Sequence, residues 1–253
     1  MQFPPTMPTS KGIALITGSA QGIGRSIALR LAQDGFDIAL NDLPIKGPQL
    51  ESVATEIKSL GRQVCIVPAD VTVDEQVKEM VDGAVTNLGG LDVMVANAGV
   101  TTGGSLLSST VESWDHILAV NARGPYLCYK YAAMQMIDQG RGGRIIGASS
   151  LLGKVAFPYH SLELGKHGIT VNAYAPGGIP TDMVKGIMDE SGKMDFSGYI
   201  DDPVARKWST SNIPIKHVGQ PEDVASIVSY LASKEAHFIT GQCISVDGGI
   251  SMT

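Results

Sequence analysis

The chain has 253 residues, 43% of them hydrophobic and 17% charged, a length and balance that support one large α/β domain with a sizeable core. Its formal charge of −6 offers no basic face, so neither nucleic acid nor membrane is expected as a partner. No apolar run approaches the ~20 residues of a membrane span.

Residues 1–10 carry Pro4, Pro5 and Pro8 and no basic-then-apolar signal pattern, so they read as a flexible tail on a cytoplasmic protein. From there short apolar runs alternate with amphipathic stretches. Ile13–Thr17 is the first strand, Gly22–Gln33 the first helix, Phe36–Asn41 the second strand and Leu50–Leu60 the second helix. Val64–Val67, the helix Asp74–Leu88 and the strand Leu91–Ala96 follow, then Val111–Asp138, long enough for two helices. Strands Arg144–Ala148 and Thr170–Ala175, the helix Glu222–Ala232 and the strand Cys243–Val246 complete the series. Continuous apolar runs mark strands buried on both faces. Their alternation with helices predicts right-handed crossovers and a single Rossmann-type domain over residues 11–253: a doubly wound parallel sheet of about seven strands with helices on both faces. Residues 183–214, rich in Gly, Ser, Asp and Met, interrupt the rhythm. They read as a substrate cover or a surface excursion, and the length of the insertion favours the cover.

Thr17-Gly18-Ser19-Ala20-Gln21-Gly22-Ile23-Gly24 joins the first strand to the first helix. Gly18 can turn the chain, Gly22 lets backbone approach a pyrophosphate, and Gly24 removes a side chain where helix meets sheet. With Gln21 and Ile23 they form a candidate phosphate-binding turn at a helix N-terminus. Such glycines also serve plain turns, and it is the place in the first strand–helix unit that favours a dinucleotide. The second strand ends at Asp42, whose carboxylate can accept ribose hydroxyls and would repel a 2′-phosphate; NAD is therefore expected over NADP. Lys46 follows Pro44 and is expected to point elsewhere. A plain turn or capping role for Asp42 is the alternative.

Cys65, Cys128 and Cys243 lie far apart in apolar segments and read as buried thiols in a reducing compartment. His116, His160, His167, His217 and His237 show no ligand spacing, so no metal site is expected.

The chain resembles the short-chain dehydrogenase/reductase family over nearly its whole length. Besides the glycine turn, Asp70-Val71 resembles the pair that borders the adenine, and Asn97-Ala98-Gly99 the motif that braces sheet end and cofactor. Pro176-Gly177, Ile179 and Thr181 resemble the loop that holds the nicotinamide carboxamide and phosphates. The resemblance implies a catalytic role for Ser150, holding the substrate carbonyl oxygen, and for Asn121, positioning a water in the proton relay. Gln220-Pro221-Glu222-Asp223 and Val246-Asp247-Gly248-Gly249 fit the family as well. It further implies NAD as cofactor, a small carbonyl or alcohol substrate and a homo-oligomer, dimer or tetramer. The acetoin/diacetyl reductase (butanediol dehydrogenase) branch is the nearest in pattern. Sugar or polyol dehydrogenases and 3-oxoacyl reductases are the alternatives.

One part of the pattern is missing. The family carries Tyr-x-x-x-Lys on the helix after the fifth strand, because a phenol titrating near pH 10 needs a neighbouring ammonium to exchange protons at neutral pH. Here Tyr159 is followed four residues on by Glu163, and Lys166 lies in the turn before the sixth strand. Between Ser161 and Leu162 a helix-sized segment of roughly 15–20 residues is lacking at ~1.5 Å per residue. Either the protein has a segment that this sequence omits, or the segment is deleted, as by a skipped exon. The first is favoured, since a sheet face without its helix is hard to stabilise. The second would leave a crippled NAD-binding protein.

Overall fold

The computed structural model describes residues 9–101, 109–150, 162–184 and 213–250. Seven strands form one sheet: β1 (Ile13–Ile16), β2 (Asp37–Leu40), β3 (Val64–Ile66), β4 (Val93–Ala96), β5 (Gly143–Ala148), β6 (Ile169–Pro176) and β7 (Cys243–Val246). Their order is β3-β2-β1-β4-β5-β6-β7 and every pairing is parallel. The expected single Rossmann-type sheet is therefore present. Its strand order reverses between β1 and β4, which opens a crevice at the carboxyl ends of the strands.

Side chains alternate between the two faces of each strand, and both faces are apolar. Ala14, Ile16, Ile38 and Leu40 face α1 (Gly22–Asp34), α2 (Gly47–Ser59) and a later helix, Pro221–Ala232. Leu15, Met94, Ile145 and Val171 face α3 (Asp74–Leu88) and α5 (Gly124–Gln139). The edge strands β3 and β7 are only half-buried, because each has a neighbour on one side alone. Asp74 and Glu75, and Glu222 and Asp223, occupy helix first turns as expected, where carboxylates complement the helix dipole.

The stretch Val111–Asp138 divides into α4 (Val111–Leu118), a π-helical segment (Ala119–Arg123) and α5. Pro125 has no N–H to return to the Asn121 carbonyl, so the helix widens just before it, and Gly124 N–H reaches back to Ala119 O. The helix Pro221–Ala232, α6 hereafter, packs along α1 through a polar seam. Ser229 Oγ donates to Asp34 (2.6 Å), Arg30 to Ser226 (3.0 Å) and Ser26 to Glu222 (3.3 Å).

Residues 149–168 join β5 to β6. The described part is a single helical turn at 162–164 running into a 3₁₀ turn, Gly165–His167. No crossover helix of the length of α1, α3 or α5 stands there among the described residues. The expected tail and the expected cover lie outside the described residues, apart from Thr9, Ser10, Met183, Val184, Ile213 and Pro214.

Candidate active site

The glycine turn is held at the C-terminal end of β1. Gly18 (φ +65°) and Gly22 (φ +56°) adopt left-handed backbone that an L side chain resists. A Cβ on Gly24 would collide with the Gly18 carbonyl and stand 2.5 Å from Asn97 Nδ2. Gly24→Ala must therefore push the turn away from β4. We expect a loss of roughly 1–3 kcal/mol in urea denaturation and weaker NADH binding in a fluorescence titration. Wild-type values for both would show that the contact is dispensable.

Gln21, the residue before α1, is extended and makes no side-chain cap, so the first N–H groups of the helix remain without a side-chain acceptor. Ile23 is partly buried against the core. Thr181 Cγ2 would lie 3.4 Å from a Cβ on Gly22, so the loop after β6 closes over this turn. Open N–H groups, left-handed glycines and a missing Cβ make a cradle that fits a pyrophosphate.

The ribose side is bounded by Asp42. Its Oδ2 accepts from Ala20 N–H (3.2 Å) and its Oδ1 from Leu43 N–H (2.9 Å), so one carboxylate links the end of β2 to the glycine turn. Each oxygen keeps a lone pair for a hydroxyl donor. The expectation that Lys46 points elsewhere is corrected. Pro44–Lys46 is a 3₁₀ turn that folds the chain back, and Lys46 Nζ donates to Gln21 Oε1 (3.0 Å). Proline starts such a turn readily because its φ is already suitable.

Asn41 is buried with Nδ2 on the carbonyls of Val67 (2.9 Å) and Ala69 (3.3 Å), while its Oδ1 has no hydrogen-bond partner. It ties β2 to the chain leaving β3, which leads to Asp70. Asp70 Oδ1 accepts from Thr72 N–H and Thr72 Oγ1, both 2.8 Å, so part of its carboxylate shapes its own turn. Val71 is buried, close enough to α5 that a Cβ on Gly124 would stand 3.0 Å from its Cγ2.

Asn97 joins three elements. Its Nδ2 donates to Thr17 O (2.9 Å) and Gly18 O (3.3 Å), and its Oδ1 accepts from Tyr174 Oη (2.8 Å). Tyr174 is fully buried, which pushes its phenol well above the usual range and keeps it a donor. The N–H groups of Asn97 and Ala98 both reach Thr17 Oγ1 (3.0 and 2.9 Å). One residue past Gly99, Asn121 clamps Val100 from both sides: Oδ1 accepts its N–H (2.9 Å) and Nδ2 donates to its carbonyl (2.8 Å). The Asn121 side chain thus positions the loop after β4. The sequence offered no sign of the Tyr174 bond.

Ser150 is exposed just beyond β5, and Ser149 N–H is bonded to Tyr174 O (2.8 Å). After β6, Gly177 N–H donates to Val246 O (3.0 Å), and a Cβ on Gly177 would meet Asp247 at 2.8 Å. Pro176 ends β6 and Ile179 is buried in the core beneath the loop. The predicted glycine turn, Asp42, Asn97 and the Gly177–Thr181 loop therefore converge on the strand ends at the β1–β4 crevice.

Tyr-x-x-x-Lys does occur elsewhere, at Tyr126–Lys130 and Tyr230–Lys234. Neither serves Ser150. Lys130 Nζ is spent on Tyr131 Oη (3.3 Å) and Asp74 (3.7 Å), and Tyr230 lies in the last turn of α6 with Lys234 just past the end of that helix. Tyr129 was not anticipated. Its hydroxyl lies over Gly147, where a Cβ would collide with it, and a glycine inside a strand was the available signal.

Cys128 is buried and Cys65 half-buried, and burial pushes their thiols up to about 12 and about 11. Both stay protonated near neutral pH. Cys243 is half-buried rather than buried, since β7 is an edge. Among the described residues no group of three His, Cys, Asp or Glu side chains could hold a metal ion, and no helix is long and apolar enough to cross a membrane.

Residues 12–162 match the family model described as short chain dehydrogenase, and residues 158–251 the model described as enoyl-(acyl carrier protein) reductase. The two matches meet at 158–162, where the helix-sized segment is lacking. A short-chain dehydrogenase/reductase of Armillaria gallica is 46% identical, covering 94% of this chain and 95% of its own. That alignment runs over 257 positions, whereas 94% of 253 residues is about 238, so about 19 positions face gaps in this chain. The 3-oxoacyl-[acyl-carrier-protein] reductase FabG of Staphylococcus aureus is 37% identical over 94% of this chain and 98% of its own. Among solved structures, acetoin dehydrogenase YohF of Salmonella typhimurium superposes with a TM-score of 0.78 and 32% identity, covering 94% of this chain and 95% of the other.

Proposed function

The chain belongs to the short-chain dehydrogenase/reductase family, oxidoreductases that act on CH–OH donors with a nicotinamide cofactor, and from that premise we propose that it interconverts a small ketone or diketone and its secondary alcohol, of acetoin/diacetyl type, with NAD(H). The cofactor reading is carried by one observation, the Asp42 carboxylate anchored on Ala20 and Leu43 at the ribose edge. The substrate reading is supported by the likeness to an acetoin dehydrogenase. A 3-oxoacyl reductase is the second reading, supported by the 37% identity to FabG. The same reading places the protein in the cytoplasm as a homo-oligomer.

When bound, the nicotinamide supplies or accepts the hydride. The protein supplies placement. Gly18, Gly22 and the N-terminus of α1 hold the phosphates, and Asn97 and Asn121 fix the loop after β4. Ser150 holds the substrate carbonyl oxygen at the end of β5. Residues 151–168 contain no Tyr-x-x-x-Lys to complete the proton relay, so turnover by this chain is expected to be slow.

The test is NADH oxidation with diacetyl, a 3-oxoacyl thioester and a keto-sugar in parallel. Diacetyl should be the fastest; a faster thioester would move the protein to the second reading. An intact mass of 26.6 kDa with no oxidation at all would leave a nucleotide-binding protein without turnover. For the cofactor, Asp42→Ala is expected to narrow the preference for NADH over NADPH about tenfold, the worth of ~1.4 kcal/mol. Unchanged discrimination would remove Asp42 from that role.

A further inference from the structure

Asn97 holds the glycine turn in one orientation of its amide. Nδ2 donates to Thr17 O (2.9 Å) and Gly18 O (3.3 Å), which uses both of its protons, and Oδ1 accepts from Tyr174 Oη (2.8 Å). Tyr174 lies in β6 and Asn97 just past β4, with β5 between them. Neighbouring strands stand about 4.8 Å apart, so the link crosses roughly 10 Å of sheet. The Tyr174 side chain spans that distance inside the core that also holds Val95, Ile146 and Val224, and a serine or threonine there could not reach. The Tyr174 carbonyl also accepts from Ser149 N–H (2.8 Å), at the corner that carries Ser150.

We infer that Tyr174 is a positioning residue: its hydroxyl fixes the Asn97 amide, and through it the Gly18–Gly24 turn, in the form that binds nucleotide. The inference rests on the nucleotide-binding reading above. Tyr174 is fully buried and acts from within the core. Asn97 is only half-buried, so water is within reach of its side chain. Without the hydroxyl, Oδ1 would face an apolar ring, and an outward rotamer that solvates it competes with the inward one. The outward rotamer releases the Gly18 carbonyl. It also withdraws Nδ2 from the place where a Cβ on Gly24 would meet it at 2.5 Å, so the wedge between Gly18 and Gly24 is lost. A nucleotide that needs the formed turn then binds only the inward fraction, and its apparent Kd rises in proportion.

The experiment measures the Kd of NADH by calorimetry, which needs no turnover. Tyr174→Phe keeps the ring in the core and removes only the hydroxyl. It should weaken NADH about 3- to 10-fold, the worth of one hydrogen bond. In an Asn97→Ala background the same change should move NADH by less than about twofold, because the link is already cut. The Asn97 side-chain amide protons, followed by NMR, should exchange with water about tenfold faster in Tyr174→Phe than in the wild type. A tyrosine that only fills the core would lower the urea midpoint and leave both the Kd of the folded protein and this exchange unchanged. The inference fails if Tyr174→Phe binds NADH within about twofold of the wild type, if the loss is as large in the Asn97→Ala background, or if the Asn97 amide exchanges as before. Should Asn97→Ala bind no NADH, the affinity of Tyr174→Phe and the amide exchange decide without it. If the wild type itself does not bind NADH, the nucleotide reading is lost and the inference with it.

Discussion

Inserting a helix-length segment with Tyr-x-x-x-Lys between Ser161 and Leu162 is expected to raise carbonyl-dependent NADH oxidation by about 10²–10⁴-fold, the usual worth of a positioned general acid. The chain already places Ser150 at the end of β5 and braces the neighbouring loop through Asn97 and Asn121. No Tyr-x-x-x-Lys pair stands between β5 and β6 in the sequence to give a proton to the developing alkoxide. Tyr126–Lys130 cannot substitute, because its lysine is held by Tyr131 and Asp74. The buried phenol of Tyr174 cannot either, since burial raises its pKa and its proton is committed to Asn97. The control is the same insertion with Phe-x-x-x-Lys, which should add stability without the gain in rate. Equal rates for parent and Tyr insertion would refute a Ser150-centred active site.

Arg62→Met is expected to cost about 3–5 kcal/mol, the usual penalty for stranding one partner of a buried ion pair. Arg62 follows Gly61, whose left-handed turn (φ +74°) brings the guanidinium under the start of β2. Its Nε and Nη2 lie 3.1 and 2.7 Å from Asp37 Oδ1, and Gln63 N–H reaches the same oxygen at 2.8 Å. Both side chains are almost fully enclosed, at 5% and 6% exposure. Without the arginine, a buried carboxylate at the mouth of the β2–β3 pair keeps one backbone donor. Against a typical total of ~5–15 kcal/mol, such a loss should leave much of the protein unfolded at moderate urea. Asp37→Asn combined with Arg62→Met should recover part of it, because the stranded charge is then gone. A loss under ~1 kcal/mol for the single variant would mean that water or another group reaches Asp37.

Much of this fold is legible in the order of residues. Runs such as Ile13–Ile16 and Val93–Ala96 are apolar throughout because both faces of a central parallel strand are covered, and that signal is local. Gly18, Gly22 and Gly24 are equally local, since each answers to backbone geometry or close approach within one strand–helix unit. Contacts between segments distant in sequence were not legible. Pro44 suggested that Lys46 leaves the site, yet the 3₁₀ turn returns it to Gln21, 25 residues earlier. Asn97 reads as a family motif, but its bond to Tyr174 spans 77 residues. Gly147 inside β5 signals a close approach, but that Tyr129 is what approaches it was not legible.

By itself, then, the sequence determined the alternation of strand and helix, the phosphate-binding turn and the lack of a Tyr-x-x-x-Lys helix before β6. These follow from neighbours along the chain, where periodicity and glycine freedom act. Only the tertiary structure decided which charges share the ribose edge, which hydrogen bonds brace Asn97 and Asn121, and where the spare Tyr-x-x-x-Lys pairs point. Those outcomes depend on distances across the sheet, which packing sets and no local pattern encodes.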